Sequence, residues 1–209
     1  MTVSRLAASE RYKGHDRVIT ALPSLVAERP NITYLIVGEG DDRTRLERLA
    51  TQVGVSENVC FVGPVLHSEL PDYYRLADVF VMPSTGEGFG IVFLEAMASG
   101  VPVIAGNSDG SRDPLCDGSF GTLIDSGNTY ELQAAIRASL DSPLVPSDVV
   151  ERFGIETFVK HLNGLVRFFL AGTQATPLFS IGEDVVRSTS PHEKGRFGRA
   201  RSDLMYRRQ

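Results

Sequence analysis

From residue 1 to about 140 the chain alternates short β-branched runs with longer stretches whose apolar residues recur at helical spacing. "NITYLIVG" (31–38), "NVCFVG" (58–63), "DVFVMPS" (78–84) and "VPVIAG" (101–106) read as buried strands, rich in Val and Ile and closed by Gly or Pro. Between them, "DDRTRLERLATQVG", "ELPDYYRLA" and "GIVFLEAMASG" read as helices, the last starting near Phe89, and so does His15 to Glu28 with Pro23 inside it. This alternation predicts an α/β fold, a doubly wound parallel sheet covered on both faces, Rossmann-like in layout. Ligands of such sheets sit outside the carboxyl ends of the strands.

After "GTLID" (121–125) a helix is expected around Glu131 to Leu140. A Pro-containing connection then leads to Val149–Leu170, whose aromatic and aliphatic residues recur at roughly helical spacing and are expected to pack back on the domain. Beyond residue 171 the composition turns polar and basic without periodicity. The expected organisation is one domain over 1–170 and a polar, disordered tail over 171–209.

The whole chain of 209 residues carries −5, unevenly spread. Arg187 to Gln209 holds seven Lys or Arg against two acids, a net of about +5, which leaves the rest near −10. An acidic body argues against nucleic acid as the principal partner. The basic tail reads as a solvated end, with attraction to an anionic membrane surface, the inner face of the cell membrane, as the weaker alternative. No apolar run approaches the roughly 20 residues of a spanning helix, and the N-terminus has no signal-like apolar core, so a cytoplasmic location is expected. Cys60 and Cys116 lie far apart, match no zinc spacing and are expected as small buried thiols. The four histidines are scattered and receive no role.

The chemistry concentrates in "MPSTGEGFGIVFLEAMASGVPVIA" (82–105). Glycines at 86, 88 and 90 uncover backbone N–H groups where a strand turns into a helix, and the helix points its positive end there, which suits a diphosphate. Shape alone also explains many such glycines. On the helix, Ile91, Glu95 and Ala98 share one stripe. A carboxylate at Glu95 needs donors. It is either a structural acid satisfied by a neighbour or an acceptor for two adjacent hydroxyls such as those of a ribose, with Glu87 placed to reach the other end of the same ligand.

Glu87-x7-Glu95 within this stretch resembles the E-x7-E signature of the family-4 retaining glycosyltransferases (glycosyl transferases group 1), which have the GT-B fold. "SRLAASERYKGHDRVITAL" resembles the start of their C-terminal domain, "YLIVGEGDDRTRLERLA" and "VCFVGPV" its next strands, "DGSFGTLID" its late loop and "ERFGIETFVKHL" its closing helix. Residues 1 to about 168 are covered, in the family's order.

The resemblance implies the C-terminal, donor-binding half of a GT-B enzyme, with a UDP- or GDP-sugar as donor substrate and no cofactor. Arg5 and Lys13 occupy the places of the cations that neutralise the donor diphosphate as it leaves. Phe89 and Gly90 would offer backbone N–H groups, with Ile91 beside them. Glu87 would hold the sugar hydroxyls and Glu95 the ribose. Backbone near Gly63 and Val65, with the Gly38–Gly40 loop, would line the base. No Asp-x-Asp motif is present, in keeping with the metal-independent chemistry of the family; Asp109 and Asp113 do not make one. Ser4 stands where the family usually has a glycine. The family's acceptor-binding N-terminal domain has no counterpart in these residues, so the expectation is a truncated product of a longer gene, with one chain of a split enzyme, partnered by a separate acceptor-domain chain, and an isolated module as alternatives. The functional alternatives are a transferase and a non-catalytic nucleotide-sugar-binding module or inactive fragment. A GT-B epimerase or phosphorylase has less support.

Overall fold

The computed structural model describes residues 1–142 and 149–170; the basic tail and the Pro-containing connection fall outside them. The chain divides into two compact units, Met1–Phe153 and a second that begins at Gly154.

In the first unit the strands are β1 (Thr2–Val3), β2 (Tyr34–Val37), β3 (Val59–Gly63), β4 (Phe80–Met82), β5 (Val103–Gly106) and β6 (Thr122–Ile124). The helices are α1 (His15–Glu28), α2 (Arg43–Gln52), α3 (Leu70–Arg75), α4 (Ile91–Ala98), α5 (Thr129–Asp141) and α6 (Val149–Phe153). All strand pairings are parallel, in two sheets ordered β1-β2-β3 and β4-β5-β6. The sheets meet where Val81 N–H donates to the Met1 carbonyl at 2.9 Å and the Thr2 hydroxyl donates to the Val81 carbonyl. The spatial order is therefore β3-β2-β1-β4-β5-β6, with the chain reversing direction of travel between β1 and β4. That is the doubly wound order, and its switch point is where ligands bind.

Two apolar clusters cover the two faces of the sheet. Ile19, Leu22 and Leu25 of α1 pack with Leu46 of α2, Ile136 of α5 and the strand residues Ile36, Val81 and Ile104. Tyr74 of α3 and Phe93 and Met97 of α4 pack with Val37, Phe80, Met82 and Val103. Adjacent strand residues thus feed opposite clusters, as the period of two requires. Pro23 is tolerated within α1 on its exposed side.

Cys60 is exposed and Cys116 only half-buried, which corrects the expectation of two buried thiols. β3 is an edge strand, and Cys60 lies exposed on it although Val62, two residues on, packs against the second cluster. The "GTLID" segment contributes β6, a strand rather than a loop. The second unit contains α7 (Ile155–Leu170), along which Ile155, Phe158, Leu162 and Leu165 are exposed. No helix among the described residues is long and apolar enough to cross a membrane.

Candidate functional site

A cavity of about 380 Å³ opens at the switch point, walled by Val3 and Ser4 at the end of β1, Lys13, Met82 at the end of β4, and Glu87, Phe89, Gly90, Ile91 and Val92. A larger one, about 550 Å³, lies at the opposite, amino ends of β1, β2 and β4. Its walls are largely aliphatic, from Val18, Leu22 and Leu25 to Ile136 and Leu140. The smaller cavity has the charges and the topological position of a binding site.

Two loops build it, and they are tied together. After β1 a 3₁₀ segment, Ala8–Lys13, ends at Gly14. From this loop the Tyr12 carbonyl accepts from Thr85 N–H at 3.0 Å, and Arg17 of α1 donates to the Pro83 carbonyl at 2.6 Å. These bonds set Lys13 beside the Glu87 loop. The backbone of Glu87 is fixed in turn by the loop after β5: its N–H donates to Asp109 Oδ2 at 2.7 Å, and its carbonyl accepts from Gly110 N–H at 2.9 Å. Burial opposes ionisation of Asp109, yet the donated bonds from Glu87, Ser111 and Ser84 hold its carboxyl below the usual range.

The turn leaves donors free. Among the described residues the N–H groups of Gly88, Phe89 and Gly90 donate to no backbone oxygen. Gly90, at φ +83°, caps α4, and a Cβ there would lie 2.5 Å from the Phe93 ring. Only glycine gives the chain this entry into the helix. The helix therefore starts at Ile91, two residues later than the apolar pattern suggested, and Phe89 lies in the turn with its ring 6.4 Å from that of Phe153.

Glu95 is half-buried, not enclosed: the core face of α4 is Phe93, Ala96 and Met97, while Ile91 is 66% exposed. The Tyr74 hydroxyl donates to Glu95 Oε2 at 2.8 Å. Arg5 is exposed and pairs with Glu10, whose other carboxylate oxygen is 2.9 Å from the Lys13 ammonium. Gly38 and Gly63 bridge directly, Gly38 N–H donating to the Gly63 carbonyl at 2.9 Å, and a Cβ on Gly38 would lie 1.9 Å from the Ser4 carbonyl. Gly38 thus has a packing reason to be glycine, and so has Gly40, where a Cβ would lie 2.3 Å from the Leu6 carbonyl. Val65 is half-buried against the α3–α4 side of the core.

Five of the expected residues, Lys13, Glu87, Phe89, Gly90 and Ile91, line one cavity; Arg5, Glu95, Gly38, Gly40, Gly63 and Val65 stand outside its wall. The sequence reading passed over Glu10, Tyr74 and Asp109, which hold the expected residues in place, and His15. The His15 Nε2 is 2.8 Å from the Ser4 hydroxyl, so Ser4 is tethered at the cavity wall. Burial, then the Lys13 charge, lowers the His15 pKa to about 4. Among the described residues no group of three or more His, Cys, Asp or Glu is arranged to hold a metal.

A Rossmann-like sheet with a Gly-rich turn and a cavity at its switch point defines the class, a doubly wound domain laid out to bind a ligand there. Residues 2–155 match the family model for glycosyl transferases group 1, and the chain belongs to that family. It is 40% identical over 138 residues to the GDP-mannose-dependent α-(1-6)-phosphatidylinositol monomannoside mannosyltransferase of Mycolicibacterium smegmatis, covering 63% of this chain and 36% of that one. It is 34% identical over 181 residues to the phosphatidyl-myo-inositol mannosyltransferase of Mycobacterium tuberculosis, covering 86% and 46%. Sucrose-phosphate synthase from Thermosynechococcus elongatus superposes with a TM-score of 0.67 at 30% identity, over 81% of this chain and 45% of that one. Anabaena HepE in complex with UDP superposes with a TM-score of 0.66 at 25% identity, over 79% and 48%. The chain thus spans less than half the length of these relatives.

Proposed function

We propose that this chain supplies the donor-binding half of a retaining glycosyltransferase that takes a nucleoside diphosphate sugar, GDP-mannose foremost, and transfers the sugar to an acceptor. The observation that carries this reading is the convergence of Lys13, Glu87 and the Phe89–Gly90 turn, whose N–H groups donate to no backbone oxygen, on one cavity at the switch point. The GDP-mannose dependence of the mycobacterial relative and the UDP held by HepE favour a nucleotide-sugar donor.

In this reading the α4 N-terminus and the turn amides receive the diphosphate. Lys13 and Arg5 stabilise the charge that develops on the leaving nucleoside diphosphate, which is worth most in a site held ready for it. Glu87 accepts from the sugar hydroxyls, and Glu95 from the ribose. The base lies toward the Gly38–Gly63 bridge.

Calorimetric titration with GDP-mannose, GDP and UDP tests the binding. Saturable binding that weakens in Lys13→Ala supports the reading, and no binding of any of the three overturns it. Sugar transfer with the anomer retained, read by NMR, separates a transferase from a module that only binds.

A further inference from the structure

Glu95 raises a question that its neighbours answer. A carboxylate on a helix that is otherwise apolar has two oxygens and about four acceptor positions, and it rotates freely unless something fixes it. Tyr74 fixes it. The phenol is 1% exposed in the core below α4, its ring 5.9 Å from that of Phe80, and its hydroxyl reaches Oε2 at 2.8 Å. The ring is held in the packed core, so its hydroxyl presents a fixed donor to Oε2 and limits the orientations the carboxylate can take.

We infer that Tyr74 is a positioning and specificity-determining residue: by clamping Oε2 of Glu95 it aims the remaining acceptor positions at the 2′- and 3′-hydroxyls of the donor's ribose, and so sets the preference for ribonucleotide over deoxyribonucleotide donors. The inference rests on the reading of Glu95 as the ribose acceptor. Its chemistry is directional. An ionised carboxylate only accepts, so the phenol must donate, and burial together with the Glu95 charge pushes the Tyr74 pKa up and keeps that proton in place. With Oε2 satisfied from the core side, a donor that brings two hydroxyls completes the set. One that lacks the 2′-hydroxyl leaves an acceptor position empty in a half-buried place. A site built to bond a hydroxyl discriminates strongly against the analogue that lacks it.

The experiment is a calorimetric comparison of GDP with 2′-deoxy-GDP on wild type, Tyr74→Phe and Glu95→Ala. Tyr74→Phe keeps the ring and its contact with Phe80, and a thermal melt verifies that it folds. Wild type is expected to prefer GDP by about tenfold. In Tyr74→Phe that preference falls to about threefold or less, with the 2′-deoxy-GDP affinity unchanged; a merely structural tyrosine would weaken both ligands alike. A folded Tyr74→Phe that keeps the full preference overturns the inference while Glu95 retains its role, provided Glu95→Ala abolishes the preference. If wild type shows no preference, or Glu95→Ala keeps it, the ribose reading itself fails and the inference falls with it.

Discussion

The Lys13 ammonium stands 2.9 Å from one oxygen of the Glu10 carboxylate, and Arg5 pairs with the other oxygen. One acid thus gathers two cations that would otherwise repel. Lys13, and Arg5 after it, hold the Glu10 carboxyl below its usual range against the opposing effect of burial. Lys13 is only 13% exposed in its side chain, whereas Arg5 is 78% exposed and free to swing. Each cation retains donors beyond the one Glu10 uses. The double variant Arg5→Ala with Lys13→Ala is therefore expected to weaken GDP binding by about tenfold or more while leaving guanosine little changed, as titration of both ligands will show. Equal losses for the two would place the cations elsewhere than at the diphosphate.

How much of this was legible along the chain depends on the range of the interaction. α1 runs from His15 to Glu28 as its periodicity predicted, because one apolar stripe of that length faces one core. The expected strands run one to three residues beyond their paired cores, since flanking Gly, Pro and Asn belong to turns yet sit in apolar runs. β6 escaped notice because three residues between Gly121 and Asp125 are too few to show a period. The Glu87–Gly90 turn was visible from its glycines. The pairs Asp109 with Glu87 and Tyr74 with Glu95 were not, since 22 and 21 residues separate the partners and only the fold joins them. Cys60 misled because an apolar neighbourhood in sequence does not reveal that β3 lies at a sheet edge.

Asp109 supports the Glu87 loop without lining the cavity. Its two carboxylate oxygens take the N–H groups of Glu87 at 2.7 Å and Ser111 at 3.0 Å. Asp109→Ala strips both amides of their acceptor, a loss of about 1–3 kcal/mol if they stay buried, and releases the loop that carries Glu87. Affinity for GDP-mannose is expected to fall more than affinity for GDP, because Glu87 is assigned to the sugar. Asp109→Asn, which keeps one acceptor oxygen, should lie between. Equal affinities for both ligands in wild type and Asp109→Ala would detach this loop from sugar binding.

Gly90→Ala tests the turn itself. The new methyl would meet the Phe93 ring at 2.5 Å in a backbone region that L-residues adopt at a cost. The expected loss is about 1–3 kcal/mol of stability, read by urea denaturation, together with weakened diphosphate binding as the turn amides move. A variant as stable as wild type would mean that the chain enters α4 by another route.

His15 predicts how the domain responds to acid. It is 5% exposed, its Nε2 is 2.8 Å from the Ser4 hydroxyl, and Lys13, Asp16, Asp42 and Arg45 surround it. Burial, with Lys13 adding to it, lowers its pKa from 6.5 to about 4, while Asp16 and Asp42 pull the other way. Because the folded-state value lies below the unfolded one, a proton binds the unfolded chain more tightly. The stabilisation from neutral His15 is complete above about pH 6.5 and is lost as the pH falls toward about 4, a change on the order of 3 kcal/mol. His15→Gln keeps a hydrogen-bonding partner for Ser4 and removes the titration. The difference in unfolding free energy between wild type and His15→Gln, measured by urea denaturation from pH 7.5 to 4.5, should therefore shrink as the pH drops, whatever the other titrating groups do. A difference that stays constant across that range would show that His15 takes up its proton in the folded protein as readily as in the unfolded chain, and that the wall beneath Ser4 is wetter than its burial implies.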